Sequence, residues 1–271
     1  MNDIHKTIQK YIKHYDIYSD GVNTFILLYL PYNPFVKFPK GYAPIDSYYI
    51  HSNQIYHIKS AMQKELSSSY DIVKTKASYQ KLFLDSGLGF KLKNGLIAIP
   101  PFGTRIVLEV IEISGNLMIE KNPENNIYTK KEQQQELLNC ENCLNCIRAC
   151  PSTALSYDGF HGERCIRFLM DSPLENHDKL VSLNSNFLGC EVCQNVCLHN
   201  KDIEKVDIPK NILQQLKFET LLENSEKGRA ALMPLAEFIG SNYNRPKRLN
   251  ALCKIAKTVE EKNSRQDTWY T

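Results

Sequence analysis

The amino-acid sequence predicts an α+β fold in three consecutive parts: a mixed α/β domain over residues 1–125, a cysteine-rich segment over 126–210 and a short helical tail over 211–271. Three observations predict it. Residues 1 to about 120 mix helix-period and strand-like apolar runs and contain no cysteine. Eight of the nine cysteines then fall between Cys140 and Cys197. From Ile212 onward the apolar residues recur at helical spacing.

Each element has its own local reason. Ile4, Ile8, Tyr11 and Ile12 share one helical face, so an amphipathic helix opens the chain. "NTFILLYLPY", Asn23–Tyr32, reads as a buried strand that Pro31 and the Asn33-Pro34 turn bring to an end. "NQIYHIKSAMQKEL", Asn53–Leu66, reads as a helix with an Asn or Ser cap. "SYQKLFLDSGLGF", Ser78–Phe90, is a helix broken by Gly87 and Gly89. Two strands follow, Gly95–Pro100 and Thr104–Ile113, around the turn Pro101-Phe102-Gly103. A polar stretch, "EKNPENNIYTKKEQQQE", leads into the cysteines, and "GERCIRFLMD" around Cys165 reads as a short helix.

Composition narrows the function classes. A hydrophobic content of 42% and a charged content of 23% are those of an ordinary globular chain of 271 residues. The net charge of +3 does not by itself mark a nucleic-acid binder. The N-terminal residues lack the apolar core of a signal peptide, and the longest apolar run, Phe25–Leu30, is far too short to cross a bilayer. A cytoplasmic monomer without membrane contact is expected.

That placement decides what the cysteines mean. A reducing compartment disfavours a disulfide framework. Structural zinc usually takes two paired thiols with a longer spacer. Here "CENCLNCIRACP" sets Cys140, Cys143 and Cys146 at two-residue gaps and follows them with C-x3-C-P at Cys150. That is the ferredoxin-type run for [4Fe–4S] clusters, in which the fourth thiolate serves the other cluster. Cys140, Cys143, Cys146 and the returning Cys197 are therefore assigned to one cubane. Cys150, Cys165, Cys190 and Cys193 are assigned to the second. Cys253 is left over, on the apolar stripe of Leu249, Leu252 and Ile255, and reads as core. Arg148 lies between two ligands, where a positive charge raises a cluster's potential. His199 reads as a loop residue, and Arg245, Lys247 and Arg248 as a solvated face at a helix start marked by Pro246.

Several further stretches carry a family resemblance. Leu30-Pro31-Tyr32, Tyr56-His57 with Lys59, "SGLGFKLKNGLIAIPPFGTRIVLEVIEISGNL", "CIRACPSTAL", "RCIRFLM", "GCEVCQNVC" and "NRPKRLNALCKIAK" together resemble the epoxyqueuosine reductases, cobalamin-dependent iron–sulfur enzymes of queuosine biosynthesis in tRNA. Reductive dehalogenases share the same plan of a corrinoid and two clusters. The resemblance implies that the N-terminal domain binds a corrinoid, with Tyr56, His57, Gly87, Gly89, Lys93 and Asn94 facing it. It implies electron delivery from a flavodoxin or ferredoxin type of donor, and tRNA as a partner. It also implies an aspartate as proton donor ahead of "SGLGF". Counting back from Gly87, that place falls at Val73 or Lys74, which leaves Asp71, Lys74 and Tyr79 as the donors to consider. The alternative reading is a two-cluster electron-transfer protein, or a reductive activator, without epoxide-reducing activity.

Overall fold

A computed structural model describes residues 2–122, 130–172 and 178–267. Their contacts divide the chain into two compact units, each gathered from several stretches. The first comprises the residues up to Tyr32, His51–Cys143 and Leu198–Asn200. The second comprises Asn33–Ile50, Leu144–Cys197 and the residues from Lys201 on.

The first unit follows the order α1 (Asn2–Gln9), β1 (Tyr15–Ser19), β2 (Thr24–Pro31), α2 (Tyr48–Leu66, its first turn in the other unit), β3 (Ile72–Val73), α3 (Tyr79–Asp85), β4 (Phe90–Lys91), β5 (Ile97–Ala98), β6 (Ile106–Ile113) and α4 (Lys130–Cys143). Strands β1-β2-β6-β3 form an antiparallel sheet in that order. Strand β2 is central and covered on both faces, which is why its sequence is a continuous apolar run rather than an alternation. Phe25, Leu27 and Tyr29 pack on one face with Phe83, Leu88, Ile97 and Val110, while Ile26 and Leu28 are buried on the other.

Three local readings change here. Helix α2 starts at Tyr48, not Asn53, because the Asp46 carboxylate accepts the Tyr48 N–H at 2.9 Å and serves as the cap. The strand expected over Gly95–Pro100 is only β5, Ile97–Ala98, which pairs with β4, and Ile99 N–H bonds Gly103 C=O at 2.9 Å in the turn before β6. Strand β1 carries no sequence signal of burial, yet Asp16 is fully buried in it and its carboxylate accepts the backbone N–H of Ile17 and Asn122 at 2.8 and 2.9 Å.

The second unit holds α5 (Asn145–Ala149), the hairpin β7 (Leu155–Ser156) and β8 (Gly159–Phe160), α6 (Ile166–Leu169), α7 (Asp178–Val181), α8 (Val192–Asn195), α9 (Lys210–Gln215), α10 (Phe218–Lys227), α11 (Met233–Ile239) and α12 (Pro246–Asp267). The tail is thus four helices, folded over one apolar core that includes Ile45, Tyr49, Phe187, Phe218, Leu235 and Leu252. Residues 33–50 join this unit through bridges from Phe35 to Val206, Tyr42 to Lys217 and Ile45 to Leu188. Compactness therefore cuts the molecule differently from chain order, and the expected boundary near residue 125 lies outside the described residues. Among the described residues no helix is long and apolar enough to cross a membrane.

Candidate iron–sulfur centre

In the second unit the cysteines are placed by backbone punctuation. Leu144 takes a left-handed conformation, φ 52°, and starts α5, which carries Cys146. Cys150 ends that helix with extended dihedrals, φ −65° and ψ 112°, as a residue before proline must. Pro151 thereby turns the fourth thiol of the run off the helix. Its sulfur accepts the Ala154 N–H at 3.2 Å. Cys165 occupies the N-terminal cap position of α6. Helix α8 carries Cys193 and packs against α5, with the Asn145 side-chain amide reaching the Val196 carbonyl at 3.5 Å. Gly189 leads into Cys190 at φ +93°, and a side chain there would stand 2.5 Å from Asp46 Cβ and 3.2 Å from the Tyr49 ring. Only glycine passes.

These positions put four other thiols within electrostatic reach of Cys193. Burial pushes the Cys190 thiol up to about 11, with Cys165 and Cys150 adding to the shift. Burial pushes Cys193 higher still, helped by Cys190, Cys165, Cys146 and Cys150. A crowd of half-buried thiols resists ionisation on its own. A bound metal core reverses that, because a coordinating thiol is deprotonated outright. The eight clustered cysteines are all partly accessible and unbonded to each other, whereas Cys253 is buried. Among the described residues no three His, Cys, Asp or Glu converge on a point as a single metal ion requires. The donor set fits a cubane, which takes one thiolate at each of four separate corners. The N–H groups donating to sulfur are of the kind that tunes cluster potentials.

The first unit holds Cys140 and Cys143 on the last turn of α4. The Cys140 sulfur accepts the Lys93 N–H at 3.4 Å, so the "KLKNG" turn lies against it. That turn is closed by Leu92 N–H to Leu96 C=O and Gly95 N–H to Leu92 C=O, both 2.9 Å. Asn94 is 5% exposed; its Oδ1 accepts the Leu96 N–H at 3.1 Å, and its Nδ2 has no partner among the described residues. Gly87, φ +80°, ends α3, and its carbonyl accepts Gln133 Nε2 at 3.0 Å. Gly89 is bare for a packing reason, since a Cβ would meet Ile97 Cγ2 at 2.7 Å and the Ala98 carbonyl at 2.9 Å. Tyr56 and His57 are exposed on α2, their rings edge-on at 5.4 Å. His199 packs edge-on to Phe90 at 5.6 Å, with Glu136 at 3.7 Å, and burial lowers its pKa.

The three donor candidates do not converge. Asp71 and Lys74 are exposed, and the Asp71 carbonyl accepts the Ser114 N–H. Tyr79 instead receives Lys59 Nζ at 3.0 Å, and the same ammonium bonds Glu109 at 2.7 Å. Ser114 and Glu109 are about five residues, roughly 17 Å, apart along the strand direction. Burial opposes the Lys59 charge, but its bonds to Glu109 and Tyr79 outweigh it and raise the pKa. Glu109 escaped the sequence reading; its one signal is an acid inside the apolar run "IVLEVIEI". In the second unit, Arg148 bonds Asn145 Oδ1 at 2.7 Å. Arg248 is not on a solvated face. It donates to the Met170 carbonyl at 2.5 Å and to that of Ser172.

Comparison with known proteins agrees with this arrangement. Residues 139–200 match the family model of a 4Fe-4S double cluster binding domain. The chain is 32% identical to the epoxyqueuosine reductase of Lactococcus garvieae over 123 residues, 44% of this chain and 30% of that protein. It is 31% identical to that of Bacillus subtilis over 118 residues, 43% of this chain and 27% of that protein. The matches thus span under a third of these curated relatives' length. Among solved structures, the epoxyqueuosine reductase from Bacillus subtilis, with its catalytic loop swung out of the active site, gives a TM-score of 0.63 at 19% identity over 90% of this chain and 67% of that one. An epoxyqueuosine reductase crystallised with an epoxyqueuosine-modified tRNA-Tyr stem loop gives 0.64 at 18% identity over 89% and 66%. At such identities the structural likeness speaks for the fold, a mixed α/β architecture, and the sequence matches speak for descent. The chain is thus similar in sequence, over part of its length, to the epoxyqueuosine reductases, and it shares their fold.

Proposed function

We propose that this protein is a corrinoid-dependent iron–sulfur reductase acting on epoxyqueuosine or a closely related electrophile in tRNA. The observation that supports the reading is the crowding of Cys146, Cys150, Cys165, Cys190 and Cys193 from three chain segments into one neighbourhood. Cys150, Cys165, Cys190 and Cys193 would hold one [4Fe–4S] cluster, and Cys140, Cys143, Cys146 and Cys197 the other. Bound clusters would supply one-electron transfer, and a bound cobalamin would supply a low-potential reducing centre.

The chain's own part is to orient, to exclude water and to supply a proton. For the corrinoid, the residue whose surroundings call for a ligand is Asn94, with its buried, unpartnered amide beside the turn that touches Cys140. Lys93 lies in the same turn, and Gly87 ends α3 ahead of it, whereas Gly89 is claimed by packing on β5. Tyr56 and His57 offer exposed rings on α2. Opening an epoxide needs a proton for the developing alkoxide. Tyr79 is the best-placed donor of the three, because the Lys59 ammonium bonds its oxygen and would stabilise the phenolate left behind.

A second reading, two-cluster electron transfer without epoxide reduction, draws on the aspartate that the family's pattern expects and this sequence lacks. One assay separates them: anaerobic protein with cobalamin, a strong reductant and an epoxyqueuosine-containing anticodon stem-loop. Turnover that falls about a hundredfold in Tyr79→Phe is the expected result. Bound cobalamin with no turnover moves the protein to another substrate. No bound cobalamin leaves the electron-transfer reading.

A further inference from the structure

The second unit contains a groove of about 600 Å³, within the range of binding clefts, lined by none of the cysteines and none of the residues proposed for the corrinoid. Its floor is apolar: Phe35, Phe38 and Tyr42 line it, the two phenylalanines edge-on at 6.1 Å and each packed on the core from behind. Its rim is basic. Lys37, Lys40 and Lys205 all line it and all are exposed. The Glu260 carboxylate at the same groove is engaged by the Gly41 N–H at 3.0 Å. One part of the wall is the start of α8, where Glu191 and Val192 line the groove and stand in sequence between Cys190 and Cys193.

We infer that this groove is the docking surface for an acidic one-electron carrier protein, delivering electrons to the cluster held by Cys150, Cys165, Cys190 and Cys193. The inference rests on the two-cluster reading above. Electron transfer weakens steeply with distance, so a donor must seat where the protein shell over the cluster is thin. Here two thiolate-bearing residues flank the very residues that form the wall. Electron-transfer encounters are weak and small, generally below about 1,200 Å², so one aromatic floor with a basic rim is a sufficient footprint. Three lysines around it would steer a negatively charged carrier and set its orientation. In the step itself the reduced carrier loses one electron and an oxidised cluster gains it, with no proton or bond exchanged.

The test uses the anaerobic, cluster-loaded full chain and a reduced flavodoxin as probe. In Lys37→Glu/Lys40→Glu/Lys205→Glu, the second-order rate of cluster reduction should fall about tenfold or more at low ionic strength. The difference should shrink at high salt. Reduction by dithionite should be unchanged, and calorimetric binding of the oxidised flavodoxin should weaken in parallel. Phe38→Ala should weaken binding without altering its salt dependence. Wild-type reduction rates and salt dependence in the triple variant would overturn the inference, as would loss of anticodon stem-loop binding with carrier binding intact. Iron analysis separates the two levels: a chain without clusters refutes the two-cluster reading, whereas a loaded chain indifferent to the three lysines refutes only the docking surface.

Discussion

Replacing Gly89 with alanine adds a single methyl group, and the structure says where it goes. It would lie 2.7 Å from Ile97 Cγ2, 2.9 Å from the Ala98 carbonyl and 3.1 Å from Ile99 Cγ1. Two of these cannot yield easily. Ile97 is β-branched and stiff at χ1, and the Ala98 carbonyl is backbone of β5. Overpacking of this kind costs about 1–3 kcal/mol, and the lost glycine entropy of the unfolded chain gives back about 0.4–1 kcal/mol. The net is on the order of 1–2 kcal/mol, a drop in melting midpoint of roughly 2–8 °C for a unit of this size. Thermal unfolding of the two proteins, prepared anaerobically side by side, reads it directly. If Gly89→Ala melts with the wild type but loses affinity for cobalamin, the missing side chain serves a ligand and the packing argument fails.

Other perturbations follow from the same geometry. Cys165→Ala should halve the iron content and leave the set built on Cys140 and Cys143 loaded; full iron in that variant would remove Cys165 from the ligands. Arg248→Met should destabilise by about 1–3 kcal/mol, because the Met170 and Ser172 carbonyls lose their donor; denaturant titration with an unchanged midpoint would refute this. The Lys59 pKa is raised above the ordinary 10.5 on folding. Its contribution to stability is therefore complete below that value and disappears as the pH climbs through the folded pKa. Lys59→Met should lose that alkaline dependence, and an identical stability profile above pH 10 in both proteins would show that the Glu109 and Tyr79 bonds contribute nothing.

What the sequence made legible was whatever is decided locally. Cys140, Cys143 and Cys146 declare themselves because thiolates that wrap one cluster need fixed short spacings, and Cys150 because the C-x3-C-P step follows them. Strand β2 declares itself because burial on both faces forces a continuous apolar run, and β6 because its apolar residues are broken only by Glu109 and Glu112. The rest depends on partners far along the chain. Helix α2 begins five residues early since its cap, Asp46, precedes a run of aromatic and β-branched residues, Tyr48-Tyr49-Ile50, that looks extended. Strand β1 hides behind Asp16, an acid whose burial is made tolerable by the distant Asn122. Glu109 means nothing until Lys59, on a helix far upstream, is seen to reach it. Residues 33–50 look like part of the first domain, but bridges to Leu188, Val206 and Lys217 and the burial of Ala43, Ile45 and Tyr49 in the core of the second unit draw them into it. Gly89 shows the converse: a glycine that sequence pattern offers to a ligand is claimed by the protein's own strand.

Everything here turns on two cubanes in one chain, and iron with acid-labile sulfide, measured per chain on anaerobically purified protein, tests that most directly. The account predicts about eight of each, from two [4Fe–4S] clusters on four thiolates apiece. About four of each, or zinc in place of iron, would contradict it.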